Sequence, residues 1–191
     1  MAFWEPRSES LTIRRILKVN HAGEFGAIRI YNAQLLVAGR FFPDIVPALK
    51  QMRDDEIEHC RLFAAAMPLR QARPCRVMAF WSVGGYALGL ATALFGRNMV
   101  WICTEAVEAT VHRHLEDQTA FLASRDESLH ALILSIQEQE LAHLQHAIDH
   151  QPRQGIARRV ALPAIGLLTE SMIWLSTWGD STSMRHEIAQ S

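Results

Sequence analysis

The sequence predicts an all-α protein, a four-helix bundle built from two helical hairpins. Apolar residues recur at helical spacing along nearly the whole chain, and no segment shows the strict alternation of a half-buried strand. The predicted bundle helices span about residues 10–38, 44–66, 98–123 and 127–150. Two further apolar helices are predicted, a crossover at 77–96 and a C-terminal helix at 156–178.

Local signals mark the helix ends. Gly39 suits a helix C-cap and Pro43 cannot continue a helix, so the first helix is expected to end at about Ala38, with Gly39 as its C-cap. Pro68 ends the second helix for the same reason. In the turn "SRDE" before the fourth bundle helix, either Ser124 or Asp126 can serve as the N-cap.

Composition narrows the class of protein. A chain of 191 residues can bury one sizeable core, and we expect a single domain over 1–191 with a flexible tail at 179–191. The formal net charge of −1 gives no bulk attraction to nucleic acid. Three cysteines without CxxC spacing argue against a disulfide scaffold. The segment "MAFWEPRSES" lacks the basic and then apolar pattern of a targeting peptide.

Three Glu-x-x-His pairs occur, and two of them belong to an internal repeat. The pairs are Glu56/His59, Glu127/His130 and Glu140/His143. Glu24 precedes the first pair by 32 residues, and Glu108 precedes the last pair by the same distance. The middle pair has Phe95 at that position instead. A constant offset of 84 residues between the two sets indicates a degenerate repeat of one helical hairpin.

The repeat predicts one buried cluster. Residues three apart share a helix face, so each Glu-x-x-His pair can point at one spot. The rise per residue, counted from the hairpin turn, places Glu24 and Glu56 at similar depths on two antiparallel helices. The same count places Glu108 and Glu140 at similar depths in the second hairpin. Facing hairpins would therefore bring together four carboxylates and two imidazoles, those of Glu24, Glu56, His59, Glu108, Glu140 and His143.

This set matches the dinuclear carboxylate sites of four-helix bundles. Four buried carboxylates are very costly unless cations neutralise them. Carboxylates with imidazoles suit iron or manganese, and the absence of thiolate ligands argues against structural zinc. We expect Glu56 and Glu140 to bridge two metals, Glu24 and Glu108 to be terminal ligands, and each metal to have one histidine. The alternative is a charged surface that happens to repeat.

Three other residues are candidates for the surroundings of the site. Asp55 shares a helix face with His59 and could accept a hydrogen bond from a ligand imidazole across the bundle; the repeat places Gln139 at the equivalent position. His114 is a candidate for a substrate pocket. Tyr31 could line the same pocket, although core packing is the favoured interpretation.

Four segments resemble the Coq7 family of demethoxyubiquinone hydroxylases: "NHAGEFGAIRIY", "DDEIEH", "EAVEATVHRH" and "QELAHLQHAIDH". The resemblance covers about residues 11–178 and places the family's ligands on the same six residues. It implies a ferritin-like fold holding two iron ions per chain, cycling between Fe2+ and Fe3+. It also implies hydroxylation of a polyprenyl demethoxyubiquinone by dioxygen in ubiquinone biosynthesis, with NADH as the ultimate electron source. Glu105 departs from the pattern by adding a carboxylate one turn before Glu108.

The resemblance further implies peripheral attachment to a membrane. The run Val77–Gly96 is 20 residues without a charge, just long enough to span a bilayer. A single crossing there would separate the two hairpins, so this helix is expected to lie in the interface or pack on the bundle, as is the run at 160–178. We expect a quinone substrate, the cytoplasmic face of a bacterial inner membrane, and either a homo-oligomer or a biosynthetic complex.

Three other functions compete with this reading. The same bundle could be a di-iron oxygenase for a different substrate. It could store or oxidise iron, which would need a shell-forming oligomer and more iron than six ligands hold. It could also be a metal-free, membrane-associated helical bundle, in which the repeated acids neither bind metal nor take part in catalysis.

Overall fold

Helices make up the whole of the described fold. The structure is a computed structural model that describes residues 6–152 and 155–189. Its helices are α1 (Pro6–Phe41), α2 (Val46–Ala66), α3 (Met78–Leu94), α4 (Arg97–Leu122), α5 (Glu127–Asp149), α6 (Ile156–Thr177) and α7 (Asp180–Ile188). Short 3₁₀ turns precede and follow α2, at Pro43–Ile45 and Pro68–Arg70. The described residues contain no strand, which confirms the predicted all-α class.

The helix ends differ from the prediction at one glycine. Gly39 lies inside α1, which continues to Phe41 and ends just before Pro43. The predicted C-cap at Gly39 is therefore wrong, because proline ends the helix without a glycine in the left-handed conformation. At the start of α5, the Asp126 side chain accepts a hydrogen bond from the backbone N–H of Leu129 at 3.0 Å, so Asp126 is the N-cap.

The segment after Trp178, expected to be flexible, forms α7. Asp180 pairs with Arg15 on α1, and Arg185 pairs with Asp117 on α4, both at 2.5 Å. Met184 is buried between these contacts. The prediction of a flexible tail is wrong for residues 180–188, because these long-range contacts leave no mark on the local composition.

Two hairpins face each other and divide the core into two apolar clusters. The helices α1 and α2 pack together, as do α4 and α5, and the hairpins meet along α1/α4 and α2/α5. One cluster, around Leu17, Phe63 and Leu115, fills one end of the bundle. The other, around Leu49 and Trp101, fills the opposite end. On each helix, the predicted ligands fall between residues of these two clusters.

The crossover helix α3 lies directly against α1. A Cβ atom added at Gly85 would stand 2.4 Å from the carbonyl oxygen of Gly26, and one at Gly89 would stand 2.3 Å from that of Ile30. Only glycine permits such an approach of two helix backbones. On the other hairpin, α6 packs across α4 and reaches α1. Together α3 and α6 cover the open side of the bundle next to Glu24 and Glu108.

Both apolar helices therefore pack on the bundle. At 17 residues, α3 is shorter than the uncharged run predicted and shorter than a typical bilayer span. Among the described helices, α6 alone has the length and composition to cross a membrane, and 17% of its most apolar window is buried in the structure. The core helix of a soluble protein can have the same length and composition as a membrane-spanning helix.

Replacing Gly89 should separate α3 from α1. We expect Gly89→Ala to lower the free energy of unfolding by about 2 kcal/mol, because the new methyl group meets backbone atoms that cannot move aside. Gly84→Ala is the matched control, since nothing lies within 4 Å of its added Cβ and alanine favours the helix. Denaturant unfolding measures both. A Gly89→Ala protein as stable as Gly84→Ala would contradict the close approach.

Candidate metal centre

The six predicted ligands meet at the middle of the bundle. Glu24 comes from α1, Glu56 and His59 from α2, Glu108 from α4, and Glu140 and His143 from α5. None of the six residues is more than 5% exposed. The sequence folds this way because each acid stands on the inward stripe of its helix, one or two turns from the apolar residues that fill either end.

Potential ligand atoms form two overlapping groups. One group joins Glu24, Glu56, His59 and Glu140, and the other joins Glu56, Glu108, Glu140 and His143. Within each group, the ligand atoms all lie within 4.8 Å of one another. The shared members are Glu56 and Glu140, the two residues predicted to bridge. The arrangement thus has the connectivity of a two-metal site, with one imidazole and one unshared carboxylate on each side.

The imidazole Nδ1 atoms point into the cluster. Nδ1 of His59 lies 2.9 Å from Oε1 of Glu140, and Nδ1 of His143 lies 3.4 Å from Oε1 of Glu56. Buried polar atoms normally have hydrogen-bond partners. Although these atoms are close, they are not aligned as hydrogen bonds, and five buried atoms here have no hydrogen-bond partner: Nδ1 of both histidines, Oε1 of Glu56, and both carboxylate oxygens of Glu140. Nitrogen and oxygen atoms that have no hydrogen-bond partner and converge on one point are suited to donate electron pairs to metal cations.

The four carboxyl groups divide into two pairs by their affinity for protons. Burial raises the pKa of Glu24 well above its ordinary value, and contact with Glu56 raises it further. Burial and the charge of Glu140 raise the pKa of Glu108. Burial also acts to raise the pKa of Glu56 and of Glu140, but contacts with the imidazoles and with the neighbouring carboxyl groups outweigh it, so both pKa values are lowered.

Both imidazoles hold a proton tightly when no cation is bound. Burial lowers the pKa of His143, but the adjacent carboxylates of Glu140 and Glu56 outweigh burial and raise this pKa to about 11. The pKa of His59 is raised for the same reason, with Glu140 and Glu24 as its main partners. A metal ion would take the place of these protons, so binding must release them.

The outer nitrogen of each imidazole is held by the opposite hairpin. Nε2 of His143 lies 3.1 Å from Oδ2 of Asp55, and Nε2 of His59 lies 2.5 Å from Oε1 of Gln139. When a metal ion displaces one proton from each imidazole, these acceptors would keep the remaining proton on Nε2 and leave Nδ1 free for the metal. Asp55 and Gln139 occupy equivalent positions in the repeat, so the contact across the bundle that the sequence suggested for Asp55 is present twice.

An apolar cavity adjoins the cluster on the side covered by α3 and α6. It encloses about 180 Å³ and is lined by Glu24, Glu56, Glu108 and Glu140 at its inner end. Its walls are mainly apolar and include Trp81 on α3 and Met172 on α6, so that the four acids face a mainly apolar cavity. Such a shape suits a flat apolar ligand with a few polar atoms.

His114 is the pocket candidate that the structure places in this cavity. It is buried, and its Nε2 lies 2.8 Å from Oε2 of Glu170 on α6, while its Nδ1 has no hydrogen-bond partner. Tyr31 lies elsewhere. It packs in the core, and its hydroxyl group donates to Oε1 of Glu108 at 2.9 Å, so it supports that carboxylate from behind.

Some polar residues around the site were missed by sequence reasoning. Glu170, the lone acid of the apolar run in α6, pairs with His114. Asn20 and Gln118 exchange two amide hydrogen bonds, at 2.7 and 3.1 Å, at one end of the cavity. Gln118 carried a signal, because it repeats Gln34 at the offset of 84. Glu105 belongs to another cluster, where Arg158 binds its carboxylate, so it serves packing between α4 and α6.

Comparison with known proteins identifies a family. Residues 11–176 match the model of the family described as Ubiquinone biosynthesis protein COQ7. A human protein named NADPH-dependent 3-demethoxyubiquinone 3-hydroxylase, mitochondrial, is 36% identical over 168 residues, which cover 86% of this chain and 76% of that protein. The 3-demethoxyubiquinol 3-hydroxylase of Rhodospirillum rubrum is 36% identical over 88% of this chain and 79% of its own length. The 5-demethoxyubiquinone hydroxylase, mitochondrial, of Saccharomyces cerevisiae is 30% identical over 87% and 78%.

Removing the carboxylate behind His143 should weaken metal binding. We expect Asp55→Ala to raise the dissociation constant for Fe(II) by roughly 10- to 100-fold, because the imidazole loses the acceptor that orients it. Asp54→Ala is the matched control, since Asp54 is exposed and pairs with the adjacent Arg53. Equilibrium titration under anaerobic conditions measures both constants. Equal affinities in the two variants would show that Asp55 does not orient the ligand.

Proposed function

Because the chain belongs to the COQ7 family of ubiquinone biosynthesis proteins, we propose that it is a di-iron monooxygenase that hydroxylates a demethoxyubiquinone-type ring. The observation that carries this proposal is the pair of ligand groups sharing Glu56 and Glu140 at the inner end of an apolar cavity. The relatives' names describe hydroxylation of the same class of quinone or quinol. The family and the geometry therefore support the same reaction.

In this proposal the six acids and imidazoles hold two iron ions. Glu24, Glu56 and His59 of one hairpin and Glu108, Glu140 and His143 of the other would supply the ligands, and Glu56 and Glu140 would serve both ions because they belong to both groups. Two irons held there would supply the activation of dioxygen and the accompanying electron transfer. Four carboxylates balance the charge of two ferrous ions, so the loaded centre is close to neutral in an apolar interior.

The residues of the cavity position the ring and exclude water. Trp81, Val107 and Ile173 offer apolar contacts to a flat ring, and the Asn20–Gln118 amide pair stands at one end. His114 also lines this cavity; its buried Nδ1 has no hydrogen-bond partner, and Glu170 contacts its other nitrogen. That imidazole can therefore exchange a hydrogen bond or a proton with a ring oxygen, as quinone and quinol interconvert.

The names of the relatives bear on the source of electrons for the proposed reaction. The resemblance implied NADH, but the names of several relatives specify NADPH, so NADH is not confirmed. We propose a reduced nicotinamide nucleotide as the ultimate source of electrons.

A polyprenyl tail on the substrate would leave the cavity between α3 and α6, whose outer faces expose large apolar side chains including Val83 and Leu167. This exposure supports peripheral attachment to the membrane that holds the quinone. The family resemblance suggests the cytoplasmic face of a bacterial inner membrane.

Iron stoichiometry is the first test of this proposal. After anaerobic reconstitution with Fe(II) and desalting, we expect about two irons per chain, because the two ligand groups share their bridging residues. Iron content and helical circular dichroism are measured on the same sample. A much larger iron content would favour iron storage. A folded protein that binds no iron would exclude the proposed di-iron centre.

Loss of a bridging residue should abolish turnover. We expect Glu140→Ala to lower the rate of quinone hydroxylation by more than about 100-fold with its helices intact, because both ligand groups lose a member. Glu138→Ala is the matched control, since Glu138 lies on the same helix but is exposed. Product formation with a short-chain substrate analogue is measured for both. Hydroxylation by Glu140→Ala at the wild-type rate would refute the ligand assignment.

A further inference from the structure

A second, larger groove lies at one end of the bundle, outside the metal centre. It encloses about 1000 Å³ between the N-terminal half of α1, the connection from α2 to α3, and the C-terminal end of α6. Five of its lining residues are cations: Arg14, Arg15, Lys18, Arg73 and Arg76. No aspartate or glutamate lines it within the part of the chain that the structure describes. The groove is therefore strongly basic in a chain whose formal net charge is −1.

Most of these cations are not neutralised by the protein. Arg15 pairs with Asp180 at 2.5 Å, and Arg14 donates only to the backbone and hydroxyl oxygens of Ser10. Lys18, Arg73 and Arg76 make no ion pair with any described residue. Uncompensated like charges around one concave surface repel each other, and that repulsion is relieved when an anion binds.

The rim of the same groove is apolar and exposed. Val77 and Phe80 on the α3 side are 56% and 60% exposed, and Leu175 and Trp178 at the end of α6 are 61% and 79% exposed. Trp178 also adopts a left-handed backbone conformation, with φ of 56°, which is rare for a bulky residue. Exposed aromatic and aliphatic side chains next to cations are typical of a surface that enters a membrane interface.

The basic groove adjoins the cavity at the metal centre, because Phe80, Trp81 and Met172 line both. A ligand seated in the groove would thus lie beside the cavity in which we propose that an apolar substrate binds.

We infer that this groove binds the phosphate of an acidic phospholipid, with its acyl chains against Val77, Phe80, Leu175 and Trp178. Cations clustered beside an apolar membrane-facing surface recognise anionic headgroups in this way. The inference rests on the proposed function, in which the substrate arrives from a membrane, and it specifies which lipid surface the groove faces. A soluble phosphate compound such as NADPH would satisfy the cations, but it would leave the four exposed apolar side chains in water. The lipid accounts for both sets of residues.

Vesicle binding tests the inference. The full-length, iron-loaded chain is floated with vesicles of phosphatidylcholine alone, or of phosphatidylcholine with added phosphatidylglycerol. We expect a preference for the anionic vesicles that falls about 25-fold in the double variant Arg73→Gln/Arg76→Gln, since each cation contributes about fivefold. Arg40→Gln/Lys50→Gln is the matched control, because it removes the same charge from exposed positions near the end of α1 and the start of α2, away from the groove.

The outcomes separate the sources of phosphate. Wild-type indifference to phosphatidylglycerol, or an equal loss in the control variant, would overturn the inference. So would tight NADPH binding, followed by fluorescence, that disappears in Arg73→Gln/Arg76→Gln while vesicle preference stays unchanged. Iron content is measured in every variant. Loss of iron speaks against the proposed function, whereas loss of lipid preference with full iron content concerns the groove alone.

Discussion

The burial of four carboxyl groups at one point is the constraint on which the rest of the structure depends. Like charges at such short distances in an apolar interior repel strongly, and each also loses its hydration. Without cations, the cluster can persist only by keeping protons on Glu24, Glu108 and the two imidazoles. The fold therefore has to be stable with the cluster in place, and the apolar clusters at both ends of the bundle supply that stability.

The two apolar helices complete what the bundle alone leaves open. A four-helix bundle with inward-facing acids would expose one side of Glu24 and Glu108 to water. The close approach of α3 to α1 at Gly85 and Gly89 closes one edge, and α6 closes the other. The resulting cavity has a polar inner end and an apolar mouth. The candidate metal ligands thus come from α1, α2, α4 and α5, whereas α3 and α6 provide apolar walls next to them.

Much of this arrangement could be predicted from the sequence because it is periodic. The helices, and the depth at which Glu56 and Glu140 meet, follow from the rise of a helix and from an offset of 84 residues. The contacts of α7 and the pairing of His114 with Glu170 could not be predicted, because they join residues 56 or more positions apart with no repeat to relate them. Gly39 misled the prediction, because a glycine permits a helix end without requiring one.

The repeat is not symmetric at the acceptors behind the imidazoles, and this has a consequence for how the centre behaves. His143 faces the carboxylate of Asp55, whereas His59 faces the neutral amide of Gln139. A carboxylate makes the imidazole that it contacts more electron-rich than an amide does. Two chemically identical ions placed in this centre would therefore become inequivalent, with different affinities and different reduction potentials. The difference between Asp55 and Gln139 would therefore distinguish two otherwise matching sites, so that one of them would bind its ion before the other.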